Sequence, residues 1–394
     1  VSTPILLLNC GSSSIKYQVI DADTEAVIAS GIIQRIGEES GSLDHKLDGE
    51  TVHVDRGFPN HARALNYLVR VFNAHGPELE TIRAVGHRTV HGGERFRSTV
   101  VIDDDVLAQL RELSPLAPLH NPPGIAGIEA AREALPEVPH VAIFDTAFFA
   151  TLPAEAYTYA IDTELARTHG IRKYGFHGTS HSYVSKKVAE VLGRDYAELN
   201  QIVCHLGNGA SISAIRGGVA VDTSMGLTPL AGLVMGTRSG DVDPGMHAFL
   251  GRELGLDLAG VDNLLNKKSG MLGLSGVTDF RDLTELIQEG DEAAALAMDV
   301  YCHRLLSYIG SYLAVLGRVD VLTFTAGVGE NNPLVRAKVV ERLAGLGFVL
   351  DAEKNQVRSK EPRVISTSAS PVTVMVVPTN EELAMARETK AAIS

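Results

Sequence analysis

Positive charge is in short supply in this chain. Its 394 residues carry 35 Lys and Arg against 48 Asp and Glu, a net charge of −13. A nucleic-acid binder needs a basic face, so that class is excluded. Any site for an anionic substrate must gather its own arginines against a repulsive background. Cysteine is scarce too. Cys10, Cys204 and Cys302 are odd in number and far apart, which fits reduced thiols in a cytoplasm rather than a disulfide framework. No apolar run approaches the roughly 18–20 residues of a membrane span. The opening Val-Ser-Thr-Pro lacks a basic segment ahead of an apolar one, so a cytoplasmic protein with no membrane partner is expected. Long low-complexity segments and charge blocks are missing.

Several site patterns are missing as well. Gly-x-x-x-x-Gly-Lys-Ser/Thr occurs nowhere, which removes a Walker loop. Gly178 to Ser182 does not match Gly-x-Ser-x-Gly, which argues against a hydrolase elbow. His177 and His181 have the spacing of a zinc helix, but Gly178 stands where a zincin carries Glu and His177 lies before the expected helix.

What is present is 45% hydrophobic and 21% charged, the balance of a soluble globular chain, and its length suits two domains. Ile5 to Leu8 is an apolar run that enters Asn9-Cys-Gly-Ser-Ser-Ser-Ile-Lys16, and the chain leaves as an alternating strand, Lys16 to Ile20. Strand, small polar turn and strand can surround an anion with N–H groups and hydroxyls. A strand rather than a helix follows the glycine, so this is not a dinucleotide fingerprint. The pattern returns half a chain later: strand 201–206, turn Gly207-Asn208-Gly209-Ala210-Ser211, strand 212–216, then Gly217-Gly218 into strand 219–222. A third apolar run, 319–325, ends in Ala326-Gly-Val-Gly-Glu-Asn-Asn332, with a helix predicted over 333–346 and Pro333 in its first turn. One Gly-x-Gly turn is weak evidence. Two echoing hairpins and a third Gly-rich strand end point to a duplicated fold with a nucleotide held between its halves.

Helical periodicity covers 63–75, 124–134, 179–192 and 292–316, and strands are read at 84–90, 140–144 and 372–377. Gly86-His-Arg-Thr-Val-His-Gly-Gly-Glu94 is either a strand end with a Gly-Gly turn or an anion site. Arg238, between Gly236 and Gly240, sits in a solvated loop or is held against a ligand where close approach demands glycine. Asp145 ends a buried strand, where ligands sit in open α/β folds, or caps the next element. His177 precedes a helix with Thr179 or Ser180 as its expected cap, an arrangement that offers N–H groups and an imidazole to an anion. Thr379-Asn380-Glu381-Glu382 reads as a capping box opening the last helix.

Taken together, the segments 9–16, 86–94, 144–148, 174–181, 205–209, 235–241, 327–331 and 379–382 resemble the acetate kinase family, in the family's order from end to end. Ala231 and Cys10 depart from it, where many relatives carry Glu and Ala. The resemblance implies an α/β fold of two ribonuclease-H-like domains of the actin, Hsp70 and sugar kinase type flanking a nucleotide cleft. The first would span 1–148, rejoined by 379–394, and the second, 149–378, would bind nucleotide and dimerise. It implies transfer of a phosphoryl group from ATP to acetate, giving ADP and acetyl phosphate, by a homodimer using Mg²⁺, with Mn²⁺ as a substitute. Arg88 would bind the carboxylate, with Val90, Leu119, Phe176 and Pro229 around the methyl group. Arg238 and His177 would stabilise the transferring phosphoryl group. Asp145 would position substrate, Arg88 or metal, and Asn9 and Glu381 would hold the metal. Ser12, Ser14, Lys16, Asn208 and Gly209 would touch phosphates. His205, Leu206, Gly207, Asp279, Phe280, Arg281, Gly327, Val328, Gly329, Glu330 and Asn331 would complete the nucleotide site. A propionate or other short-chain acyl kinase is the neighbouring reading, and a non-catalytic nucleotide-switched binding protein is the distant one.

Overall fold

The computed structural model describes residues 2–118 and 120–394. The chain divides into two units, Val1–Ala150 with Asn380–Ser394, and Thr151–Thr379.

Unit 1 is built on eight strands: β1 Pro4–Cys10, β2 Ser14–Asp21, β3 Val27–Gln34, β4 Ser42–Leu47, β5 Glu50–Asp55, β6 Ala84–Thr89, β7 Val100–Val101 and β8 His140–Phe144. Their order across the sheet is β5-β4-β3-β2-β1-β6-β8-β7. β1 to β5 pair as an antiparallel meander, whereas β1, β6 and β8 run parallel. The period-2 alternation of β1 sends its side chains to two faces. Leu6 and Leu8 join Val85 in a core with Leu65, Leu68 and Phe72 of helix His61–His75 and Ala130 and Ala131 of helix Asn121–Ala134. The opposite face carries the C-terminal helix Glu381–Ile393. A Cβ on Gly86 would lie 2.5 Å from Thr389 Oγ1 and 2.9 Å from Leu7 Cδ2, so glycine at Gly86 is what lets this helix approach β6.

Unit 2 has six strands: β9 Asn200–Leu206, β10 Ala210–Arg216, β11 Val219–Thr223, β12 Val321–Thr325, β13 Arg363–Val364 and β14 Thr373–Val376, in the order β11-β10-β9-β12-β14-β13. β9, β10 and β11 form an antiparallel meander, and β9, β12 and β14 run parallel. The middle of each sheet therefore has one plan, three antiparallel strands followed by two parallel ones, which is the ribonuclease-H-like arrangement and the structural form of the echo in the sequence. Helices Gly178–Leu192 and Glu292–Leu316 pack on the second sheet.

The Gly-rich strand end after β12 forms a short helix, Ala326–Asn331, in which the Glu330 carboxylate folds back to accept from the Ala326 N–H at 2.8 Å. One expectation changes. The helix read over 333–346 is α-helical only over Pro333–Val340 and tightens to a 3₁₀ turn over Glu341–Leu346, closed by Gly347 at φ 91°. No helix among the described residues is long and apolar enough to cross a membrane, and all three cysteines are unpaired.

Candidate active site

In unit 1 the parallel strands β6 and β8 end side by side, with Arg88 in register with Ile143. Alternation buries His87 and Thr89 and leaves Arg88 between them, half-buried. Asp145, just past β8, is tied back by its N–H to the Thr89 carbonyl at 3.0 Å. This juxtaposition makes a two-pronged ion pair: Arg88 Nε donates to Asp145 Oδ1 at 3.0 Å and Nη2 to Oδ2 at 2.8 Å. Asp145 thus fixes the guanidinium through one edge, and Nη1 has no hydrogen-bond partner among the described residues. The charge of Asp145 pushes the Arg88 pKa up, so the cation is permanent.

Arg88 lines a cavity of about 640 Å³ with Asn9, Lys16, Glu381 and Glu382. Asn9 and Lys16 face each other across the first hairpin. The C-terminal helix brings Glu381 and Glu382 in its first turn, where Asn380 caps it by accepting from the Leu383 N–H at 3.0 Å. Burial raises the Glu381 pKa above its ordinary value, against the opposing pull of Arg88, with Asp145 and Glu382 raising it further. Asn9 and Glu381 are oxygen donors at one cavity, the type a hard divalent cation takes, and bound positive charge would relieve the strain on Glu381. The fit to Mg²⁺ is good on these grounds. Ser12 is exposed and Ser14 half-buried, and neither forms part of the cavity wall. Val90 follows the last residue of β6 and is half-buried. Leu119 lies outside the described residues.

In unit 2 the expected cap of helix Gly178–Leu192 is corrected. Thr179 and Ser180 are buried within the helix, and the cap position falls to His177, in the left-handed region at φ 59°. That conformation is unusual for a side chain bearing Cβ. His177 shares a hydrogen bond of 2.9 Å between Nδ1 and Ser211 Oγ, and it stacks on His205 with ring centroids 4.2 Å apart. Ser211 also meets His181 Nε2 at 2.8 Å, and Ser180 Oγ meets His205 Nδ1 at 2.8 Å. Burial, then the neighbouring His205, pushes the His181 pKa well down, so His181 serves as a neutral partner. Ser213, which holds His181 Nδ1 at 2.7 Å, stands in no motif, and Ser211, read as the end of a turn, lies in β10. Their signal is polar residues at alternate positions on one face of a buried strand.

Arg238 Nη1 donates to the Pro229 carbonyl at 2.8 Å, and no carboxylate pairs with Arg238 among the described residues. Burial lowers its pKa from the ordinary value. The two side chains converge over Gly209: a Cβ there would lie 3.4 Å from His177 Nε2 and 3.5 Å from Arg238 Nη2. Phe176 is fully buried and Pro229 half-buried.

A second cavity, of about 590 Å³, is lined by Gly207, Asn208, Asp279, Phe280, Arg281, Gly327, Val328 and Asn331, and by Arg358, which stood in no motif. Asp279 caps helix Phe280–Gln288 and pairs with Arg281 at 2.6 Å, which draws its carboxyl down to about 2. His205, Leu206, Gly329 and Glu330 are not in this wall. Leu206 is a core side chain of β9. The Glu330 carboxylate accepts from the Thr379 N–H at 3.1 Å as well as from Ala326. Behind the turn, Arg336 is buried and donates Nη1 to the carbonyls of Gly329 and Glu330 at 2.8 and 3.0 Å, a cation set against the carbonyl end of helix Ala326–Asn331.

The model of the acetokinase family matches residues 4–387. The chain belongs to the acetokinase family. Acetate kinase of Clavibacter michiganensis subsp. michiganensis is 53% identical over 390 residues, covering 98% of both chains. Acetate kinase of Alkaliphilus metalliredigens is 51% identical, over 99% of this chain and 100% of its own. Among solved structures, Porphyromonas gingivalis acetate kinase superposes with a TM-score of 0.95 at 45% identity over 100% of both chains. A propionate kinase from Francisella tularensis gives 0.93 at 42% identity over 99% of both. Membership makes the chain a kinase.

Proposed function

We propose that this kinase transfers the γ-phosphoryl group of ATP to acetate, reversibly, by direct in-line displacement. An acetate oxygen forms the new P–O bond as the bond to the β,γ-bridging oxygen breaks, and ADP leaves with that electron pair. Acetate is ionised at neutral pH, its carboxyl titrating near ~4, so no side chain has to remove a proton. What the protein must supply is positive charge and alignment. The convergence of His177 and Arg238 over Gly209, with Arg238 bearing no carboxylate partner, carries this reading. It is a preformed donor pair for the equatorial oxygens of the moving phosphoryl group.

Arg88, oriented by Asp145, offers its remaining edge to the acetate carboxylate. Asp145 acts through Arg88 and is a positioning residue. Val90, Leu119, Phe176 and Pro229 set the acyl size limit. Lys16, Ser12, Ser14 and Asn208 hold phosphates. The cavity bounded by Asp279, Phe280, Arg281, Gly327, Val328 and Asn331 takes the adenosine. Asn9 and Glu381 hold Mg²⁺, which when bound neutralises charge on the nucleotide phosphates. The reading includes a cytoplasmic homodimer assembled through unit 2, supported by Phe249, Leu254 and Leu258, which are exposed apolar side chains of that unit.

The test is ADP release with hydroxylamine trapping of acetyl phosphate, run on the parent and on Arg238→Ala. The parent should form acetohydroxamate. The variant should lose about 10³-fold in kcat with a much smaller change in KM for ATP. Absence of acyl phosphate in the parent, or an effect confined to the acetate KM, refutes the assignment.

A further inference from the structure

Helix His61–His75 places Arg63, Tyr67 and Arg70 at i, i+4 and i+7, along one face. Arg56, just beyond β5, reaches the same face: its guanidinium lies 4.4 Å from the centre of the Tyr67 ring and 5.9 Å from that of Phe58. The three arginines, Phe58, Asn66 and Tyr67 line a cavity of about 290 Å³. Among the described residues no carboxylate pairs with Arg56, Arg63 or Arg70. Elsewhere in unit 1, by contrast, Arg95, Arg111 and Arg387 each meet one. In a chain of net charge −13, three guanidinium groups around one concavity make a local positive field that favours an anion. The Tyr67 ring holds the Arg56 guanidinium at the cavity by a cation–π contact.

The cavity is also wired to the first small-residue turn. His61, at the start of the helix, donates Nε2 to the Gly11 carbonyl at 2.7 Å. The Phe58 carbonyl accepts from Gly37 N–H at 2.8 Å, and the neighbouring Ile36 N–H bonds the Ser13 carbonyl at 2.9 Å. Two carbonyls of the turn are thus held by residues adjoining the cavity, one on the helix that carries Arg63 and one beside the partner of Phe58.

We infer that this cavity is a second anion site, taking a small molecule with two or more negative groups, phosphates or carboxylates, and that its occupancy orders the Gly11–Ser14 turn. Drawing Arg56 toward Arg63 and Arg70 tightens the two walls, and a turn ordered in advance lowers the apparent KM for nucleotide. This kinetic part rests on the assignment of the turn to the phosphate site; the binding part does not.

The test is calorimetric titration of the full chain with inorganic pyrophosphate and, separately, propane-1,2,3-tricarboxylate. It compares the parent, the triple variant Arg56→Ala/Arg63→Ala/Arg70→Ala, and Arg238→Ala. The parent and Arg238→Ala should bind an equivalent that the triple variant loses or binds at least tenfold more weakly, and the two probes separate a phosphate ligand from a carboxylate one. All three substituted side chains are exposed, and an unchanged melting temperature confirms a folded variant. Equal stoichiometry and affinity in parent and triple variant for both probes overturns the site. At fixed free Mg²⁺, the better-bound probe should lower the parent's KM for ATP several-fold relative to the triple variant at the same concentration. An unchanged or raised ratio overturns the coupling.

Discussion

Replacing Asp145 by Asn separates positioning from charge. The side chain keeps its size but loses one acceptor, and an amide N–H₂ now faces the guanidinium that used both carboxylate oxygens at 2.8 and 3.0 Å. Removing one partner of a fully buried pair costs about 3–5 kcal/mol. Here the Arg88 side chain is 23% exposed, so water recovers part of the loss, and Asn retains one acceptor. A cost of about 2 kcal/mol is reasonable. For a unit of this size that is a fall of about 4–8 °C in Tm. Arg88, no longer held on one edge, presents its other edge to acetate less often, and KM for acetate should rise about tenfold while KM for ATP stays near the parent's. Thermal melts and hydroxamate assays over an acetate series at fixed ATP measure both effects. A lower Tm with acetate kinetics within twofold of the parent would make Asp145 a stability residue only. No change in either would show that the ion pair orients nothing.

Gly209→Ala places a methyl group in ordinary contact with His177 Nε2 and Arg238 Nη2, at 3.4 and 3.5 Å, so Tm should hold within about 2 °C while kcat falls about 100-fold or more. A near-parent kcat would mean that the space over Gly209 holds no reacting group. Val90→Ala should raise the propionate-to-acetate ratio of kcat/KM several-fold, since a buried CH₂ is worth about 0.8 kcal/mol; an unchanged ratio removes Val90 from the acyl pocket. Glu381 has a folded pKa above its unfolded value, so its protonated form suits the fold and stability falls as pH rises past the unfolded value. In metal-free buffer Glu381→Gln should therefore melt above the parent at pH 7 and with it near pH 4, and Mg²⁺ should narrow the gap. A parent that is the more stable at pH 7 without metal contradicts this.

The hairpins were legible because their period-2 alternation and small-residue turns are local signals, and β8 and helix Glu292–Leu316 begin and end where their periodicity does. The Arg88–Asp145 bond was only half legible. Two strand ends could be seen in the sequence, but their adjacency depends on the parallel β6–β8 pairing, which no local pattern encodes. The cap of helix Gly178–Leu192 was misplaced because propensity favours Thr and Ser. Here His205 claims the Ser180 hydroxyl and leaves His177 to take the left-handed cap. Arg358 reaches the second cavity through tertiary packing alone.

The C-terminal helix has a consequence for how the protein is made. Asp23 and Glu25 pair with Lys390 and Arg387, which lie 367 and 362 residues further along the chain. At about 5–20 residues per second, a ribosome needs roughly 10–50 s to travel from residue 150 to residue 380. Until that helix emerges, the Leu7 and Gly86 face of unit 1 lacks the element that covers it in the folded chain. Glu381 arrives on the very helix that covers it, so a chain released early lacks a carboxylate of the first cavity as well as the lid on its core.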